Sequence, residues 1–202
     1  MNNDKLLLCE FYKLCDGGVC QDFLTLEEKL EIKEKDAFYV TGVAQRANIK
    51  NGNNRVYSLP ILQREVENYK KLVREGRSAG ELNHPDDVVV NPQNVSHKVV
   101  SIWWNDLDVM VKLKILNTPM GKIARSLVED GVAIGLSSRG LGSVNETRNG
   151  LIVNDDFTLV CFDIVLEPSV QDAWMTKMME SKTSLITTKS DRINRCINEI
   201  LR

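Results

Sequence analysis

Hydrophobic and polar positions change period several times along the chain, and each change marks an element. Ala37 to Ala47 (AFYVTGVAQRA) is rich in β-formers and reads as a first strand, closed by the polar loop Asn48 to Asn54 with Asn51-Gly52 inside it. Pro60 then stands at a helix N1 position. Leu62, Val66, Tyr69 and Val73 follow at i, i+4, i+7 and i+11, striping one face of a helix that ends at Gly76. Beyond a loop, His97 to Trp104 and Leu107 to Ile115 read as two strands of a hairpin turned at Asn105-Asp106. In the second, Val109, Val111, Leu113 and Ile115 alternate with Met110, Lys112 and Lys114, which predicts one wet face.

Thr118-Pro119 caps a second helix, with Ile123 and Leu127 expected to face the core and Gly131 marking its end. The next run buries Val132, Ile134 and Leu136 and delivers Ser137 and Ser138 to a strand end, after which Gly140 and Gly142 are expected to turn the backbone tightly. Asn149-Gly150 turns the chain into Leu151 to Asn154, and Asp155-Asp156 leads into a long strand, Phe157 to Glu167. Alternation there sets Phe157, Leu159, Cys161, Asp163 and Val165 on one face and Val160, Phe162, Ile164 and Leu166 on the other. Ser169, with Asp172 three residues on, opens a third helix over VQDAWMTKMM. The closing stretch DRINRCINEILR carries Ile193, Ile197, Ile200 and Leu201 as an apolar stripe. The pattern divides the chain into a peripheral N-terminal segment (1–35), a main domain (36–180), and a linker with a C-terminal amphipathic helix (181–202).

Composition narrows the class. A chain of 202 residues, 43% hydrophobic and 27% charged, supports one well-filled core and a tail. A net charge of −2 and the lack of a basic stripe give no reason to expect nucleic acid. Leu6 to Cys9 is too short an apolar run for a signal peptide or membrane span, so the chain reads as intracellular with no membrane partner. Five cysteines do not complete a disulfide framework. Cys9, Cys15 and Cys20 lack zinc-site spacing, so no metal is expected, and Cys161 and Cys196 read as core.

Chemistry concentrates in three residues. His84, in a loop between Asn83 and Pro85, is a neutral base able to take a hydroxyl proton near pH 7; a solvated loop side chain is the plain alternative. Ser137 at a strand end could be a nucleophile, against a plain hairpin turn. Asp163 interrupts an apolar strand, so its carboxylate needs a partner, either a catalytic histidine or a structural cation. His97, at the start of a strand, reads as structural.

Several motifs then carry a resemblance. Gly80-Glu-Leu-Asn-His-Pro85, Trp103-Trp104, Leu136-Ser-Ser-Arg-Gly-Leu-Gly-Ser143 and Asp163-Ile-Val-Leu-Glu-Pro-Ser169 with Asp172-Ala-Trp174 resemble the prohead core maturation proteases of T-even-like tailed bacteriophages, over roughly Phe38 to Trp174. The resemblance implies an α+β fold similar to the herpesvirus assemblin serine proteases, a mostly antiparallel β-barrel with flanking helices. It makes 36–180 a protease domain, with Ser137 as nucleophile and His84 as general base. Asp163 is placed as third member by its strand. Backbone N–H groups of a Ser138-Arg139-Gly140 turn, helped by the Arg139 side chain, are expected to hold the oxyanion.

The function implied is a serine endopeptidase that processes scaffold and capsid proteins inside the immature shell, in the host cytoplasm, without metal or organic cofactor. A homo-oligomer is compatible with it. Cleavage after Glu in Leu/Ile-x-Glu is also implied, a pattern found at Glu10, Glu28, Glu34, Glu129 and Glu199. Accessibility favours Glu28, Glu34 and Glu199 as self-cleavage sites. The alternative from another class is a catalytically silent prohead core scaffold component of the same fold.

Overall fold

The computed structural model describes residues 6–12, 24–85, 87–148, 150–166 and 176–177. In chain order the elements are β1 (Leu6–Tyr12), α1 (Leu26–Lys35), β2 (Phe38–Arg46), β3 (Arg55–Val56), α2 (Leu59–Arg74), β4 (Ala79–Glu81), β5 (Val95–Asn105) and β6 (Asp108–Ile115). They continue as α3 (Pro119–Glu129), β7 (Gly135–Gly142), β8 (Val144–Thr147), β9 (Gly150–Val153), β10 (Thr158–Val165) and β11 (Thr176–Lys177). The strand read over Ala37 to Ala47, the α2 helix and the β5-β6 hairpin fall where the hydrophobic periods predict them, but that strand is β2 and not the first: β1 precedes it in the segment read as peripheral.

Pairing gathers these strands into three sheets, in the orders β11-β2-β6-β5-β4, β1-β7-β10 and β3-β9-β8. All neighbours are antiparallel except β3 with β9. The fold is thus mixed α+β and mostly antiparallel, but the described strands form no closed barrel, which corrects the expectation. Bulges break the ladders in β2, β5 and β10. Just past β4, Leu82 meets Ile164 of β10 through one isolated parallel bridge instead of a full ladder.

One contiguous core lies between the sheets and α2. Leu62, Val66 and Tyr69 of α2 are buried in it with Val40, Val111 and Leu113 of the large sheet and Leu136, Phe162 and Ile164 of the β7-β10 pair. Tyr69 meets Phe162 edge-on with ring centroids 5.2 Å apart.

The predicted wet face of β6 is covered. Helix α1, capped by Thr25 and Glu28 in a capping box, lies over it. Lys112 is buried and donates to Glu28 at 2.6 Å, while Lys114 pairs with Glu31. Lysine at this position reads as exposed from sequence alone, because its counter-charge sits 84 residues earlier.

Helix α3 is rotated from its predicted setting. Gly121 and Ala124 are its buried residues, whereas Ile123 is 47% exposed. A Cβ at Gly121 would stand 2.0 Å from the Leu116 carbonyl, so the helix seats on its small residues and turns Ile123 outward.

The chain does not turn at Gly140 and Gly142 either, since β7 runs unbroken through both. These glycines admit the ring and backbone of Phe157; a Cβ on Gly140 would lie 2.5 Å from that ring. Val132, expected in the core, is exposed. Within the helix predicted over 170–179, Thr176 and Lys177 instead pair with β2 as a strand. The rest of that segment, the linker and the closing amphipathic helix lie outside the described residues. No described helix is long and apolar enough to cross a membrane.

Candidate active site

The site grows from the register of β7 on β10, where Ser137 lies opposite Asp163 and Arg139 opposite Cys161. Directly opposed residues of an antiparallel pair share a face, as do residues two apart on a strand. Ser137, Arg139, Cys161 and Asp163 therefore share one face. Ser138, opposite Phe162, belongs to the other.

The predicted alternation of β10 holds only from Cys161 onward. A bulge separates Leu159 from Cys161 and moves Leu159 to the Phe162 face. The buried Glu65 of α2 accepts from the Leu159 N–H at 2.8 Å, taking the amide that the irregular ladder leaves over.

His84 reaches this face from the loop after β4. The Asn83 N–H donates to the Ile164 carbonyl at 2.7 Å, and Asn83 adopts a left-handed backbone (φ 72°) that turns the chain. The imidazole then meets Asp163, Nδ1 to Oδ2, at 3.0 Å. A carboxylate only accepts, so this contact puts the proton on Nδ1 and turns Nε2 to the opposite side of the ring as the basic atom.

Asp163 is fully buried and saturated with donors. Its Oδ1 accepts from the Glu81 N–H at 3.0 Å and Arg139 Nη2 at 3.1 Å, and its Oδ2 accepts from His84 Nδ1 at 3.0 Å and lies 3.0 Å from Arg139 Nε as an ion pair, the Nε–H itself donating to Cys161 Sγ at 3.2 Å. Burial pushes its acidity down, but the His84 hydrogen bond, the Arg139 charge and the Glu81 amide together outweigh it. The carboxyl is held below the usual carboxylate range and stays ionised. The neighbouring Cys161 thiol is pushed up, first by burial and then by Asp163, so it stays protonated.

Arg139 corrects an expectation. Its side chain does not reach toward an oxyanion but sinks inward, fully buried, onto Glu81 (2.9 Å), Asp163 and the Asp87 carbonyl (2.7 Å). The Ser138-Arg139-Gly140 turn is likewise absent. That stretch is the middle of β7, flanked by β1 on one edge and β10 on the other, so its amides belong to a sheet and not to a loop.

Glu81 has no sequence-stated role, yet it is central. It is fully buried, pairs with Arg139, and accepts from the Asn91 N–H at 2.8 Å. The readable signal was a charged residue beside Gly80 in a strand of three residues. Gly80 itself cannot carry a side chain, since a Cβ would stand 2.0 Å from the Phe162 carbonyl.

His97 is structural, as its position suggested. It is fully buried, its Nε2 donates to the Phe162 carbonyl at 3.0 Å, and its Nδ1 accepts from the Ser96 hydroxyl at 2.9 Å. Burial pushes it down to about 4.

An apolar groove of about 610 Å³ opens beside His84, lined by Leu82, Ile123, Leu127, Ile164 and Leu166. Of the proposed self-cleavage sites, Glu28 and Glu34 lie on α1, and Glu199 is outside the described residues. No cluster of metal-binding side chains occurs among the described residues.

The chain is similar to known proteins in sequence and in fold. The family model described as prohead core protein serine protease matches residues 14–183. The prohead core protein protease of Enterobacteria phage T4 is 34% identical over 176 residues, covering 83% of this chain and 82% of that protein. The solved structure of the bacteriophage T4 capsid assembly protease superposes with a TM-score of 0.68 at 28% identity, covering 82% of this chain and all of that one. Fold and sequence together define a peptidase of the phage capsid assembly class. The chain belongs to the prohead core protein serine protease family.

Proposed function

We propose that the chain is a serine endopeptidase with Ser137 as nucleophile, His84 as general base and Asp163 as the group that orients and charges the base. The observation that carries this reading is the 3.0 Å contact between His84 Nδ1 and Asp163 Oδ2, on the face of the sheet that Ser137 shares. A histidine whose Nδ1–H is held by an ionised carboxylate has its Nε2 lone pair aimed away and ready to accept a proton. In the reaction, Nε2 takes the Ser137 proton as Oγ attacks the peptide carbonyl. The imidazolium is stabilised by Asp163 and returns the proton to the leaving amine, and water then hydrolyses the acyl-enzyme by the same steps.

The substrates are the scaffold and capsid proteins of the prohead, in which the enzyme acts within the infected host's cytoplasm. Cleavage falls after Glu in Leu/Ile-x-Glu, and an assemblin-like ancestry of the fold belongs to the same reading. Glu28, Glu34 and Glu199 remain self-cleavage sites, the first two only after α1 unwinds, because a protease binds its substrate extended. The silent-scaffold alternative has no use for a buried ionised carboxylate aimed at a histidine.

Incubation of the purified chain with its phage's scaffold protein, read by intact mass, tests the assignment. Fragments ending in Glu are expected from wild type and none from Ser137→Ala or His84→Ala. Fragments from Ser137→Ala at the wild-type rate would overturn it.

A further inference from the structure

Asp163 orients His84, but Asp163 is itself held by a cation. Arg139 brings Nη2 to 3.1 Å from Oδ1 and Nε to 3.0 Å from Oδ2, and both side chains are fully buried. A lone pair of opposite charges this close would present His84 with almost no net charge, and an imidazolium draws little from a neutralised partner. Glu81 changes the count. Its Oε1 accepts from the same Nη2 at 2.9 Å, so one guanidinium serves two buried carboxylates and the cluster keeps one negative charge.

Among the described residues, the elements around this cluster add no further charge to it. Burial pushes the Cys161 thiol of β10 and the Tyr69 hydroxyl of α2 up, so both keep their protons, and it pushes His97 of β5 down to about 4, which leaves that ring neutral near pH 7. Helix α3 faces His84 across the groove with Ile123 and Leu127, which carry no charge. β1 sets Glu10 opposite Ser138, off the face that Ser137 and Asp163 share. Asp87 reaches Arg139 through its carbonyl, while its carboxylate accepts from the Val89 N–H. Glu65 of α2 lies beyond the bulge, on the Leu159 amide, and is paired with Arg64.

We propose that Glu81 is a positioning residue that works by charge: it neutralises Arg139 so that Asp163 can offer its own negative charge to the His84 imidazolium. This rests on the serine-endopeptidase reading above. Glu81 itself never touches the base. Its side-chain contacts run through Oε1, to Arg139 and to the Asn91 N–H at 2.8 Å, and Oε2 has no hydrogen-bond partner among the described residues. A glutamine keeps both contacts through its carbonyl oxygen, so Glu81→Gln removes the charge and leaves the scaffold of hydrogen bonds in place. Removing Arg139 as well brings the cluster back to one negative charge, now carried by Asp163 alone. The two substitutions should therefore oppose each other in the reaction, which two losses of mere support would not do.

The test measures, on the full-length protein and against pH, the rate at which a serine-directed fluorophosphonate labels Ser137 and the rate of scaffold cleavage by intact mass. In wild type both should rise along an acid limb as the base loses its proton. Glu81→Gln should move that limb to lower pH by about one unit, the order Coulomb's law gives for one charge a few contacts away inside a protein. Arg139→Gln should move it to higher pH by a similar amount, and the double variant should return it to near the wild-type position. Arg139→Lys keeps the charge and should keep the limb. Circular dichroism identifies the variants that fold; if Arg139→Gln does not, Glu81→Gln beside Arg139→Lys decides the matter, shifted in the first and unshifted in the second. A limb that stays in place in folded Glu81→Gln, or that moves the same way in both single glutamine variants, would overturn the proposal and leave the roles of Ser137 and His84 intact. If wild type neither cleaves scaffold nor is labelled at Ser137 at any pH, the endopeptidase reading itself falls, and this one with it.

Discussion

Arg139 and Glu81 meet inside the protein at 2.9 Å, both side chains fully buried. Together they hold everything that orients the base. Arg139 binds both oxygens of Asp163 and the carbonyl of Asp87, while Glu81 takes the amide of Asn91 and lends its own amide to Asp163. His84 lies on the stretch between those anchors, so the ion pair fixes the carboxylate and the loop that carries the base at once.

A buried pair is far costlier to break than to replace, because removing one partner strands the other charge. Arg139 balances two carboxylates and Glu81 only one cation. Arg139→Met should therefore be the more destabilising change, by about 3–5 kcal/mol, with Glu81→Gln below it. Urea unfolding of both and of the double variant checks this; the double should lose less than the singles added together. Equal losses would contradict the charge count.

Asp163→Asn keeps the size of the side chain but gives up the charge that stabilises the imidazolium. It should lower kcat by about 10⁴ while KM changes little. Asp163 is held below its ordinary range in the fold, so its contribution to stability is present above the unfolded carboxylate value and is lost as pH falls through the lowered one. Acid unfolding of Asp163→Asn should lack that part of the wild-type loss. Near-normal kcat in a folded variant would remove Asp163 from the machinery.

The two adjacent serines should separate cleanly. Ser137 shares the face of Asp163 and Ser138 that of Phe162, so Ser137→Ala should abolish cleavage and Ser138→Ala should retain a measurable rate. Single-turnover assays with scaffold peptide decide it, and a dead Ser138→Ala beside a live Ser137→Ala would shift the nucleophile by one residue.

His97 predicts a pH dependence of its own. Folded, it is pushed down to about 4 by burial, against 6.5 as its ordinary value. The unfolded chain thus binds a proton that the fold refuses as pH falls below 6.5, and stability drops until the folded value is reached. Between pH 7 and pH 5 this costs about 2 kcal/mol. His97→Gln should be less stable at pH 7 but should lose less over that interval, measured by urea midpoints at both pH values.

Local chemistry was legible in the chain itself. The period of α2, the Thr118 cap of α3, the Asn105-Asp106 hairpin and the isolation of Asp163 in an apolar strand all follow from neighbours within a few residues. Short-range sterics and burial period need no tertiary information. His84 and Ser137 were readable as chemistry for the same reason, each standing in a recognisable local setting.

What the tertiary structure decided is which of these meet. His84 and Asp163 are 79 residues apart, Glu81 and Asp163 82, and Lys112 and Glu28 84. Strand order and register bring them together, and no local period encodes either. So Arg139, which looked like a donor to an oxyanion, became an internal counter-ion, and Lys112 left its wet face for a glutamate on α1. The N-terminal strand, peripheral by pattern, came to lie on the strand of the serine. A charged side chain settles where its partner is, and the partner's position is a property of the whole fold.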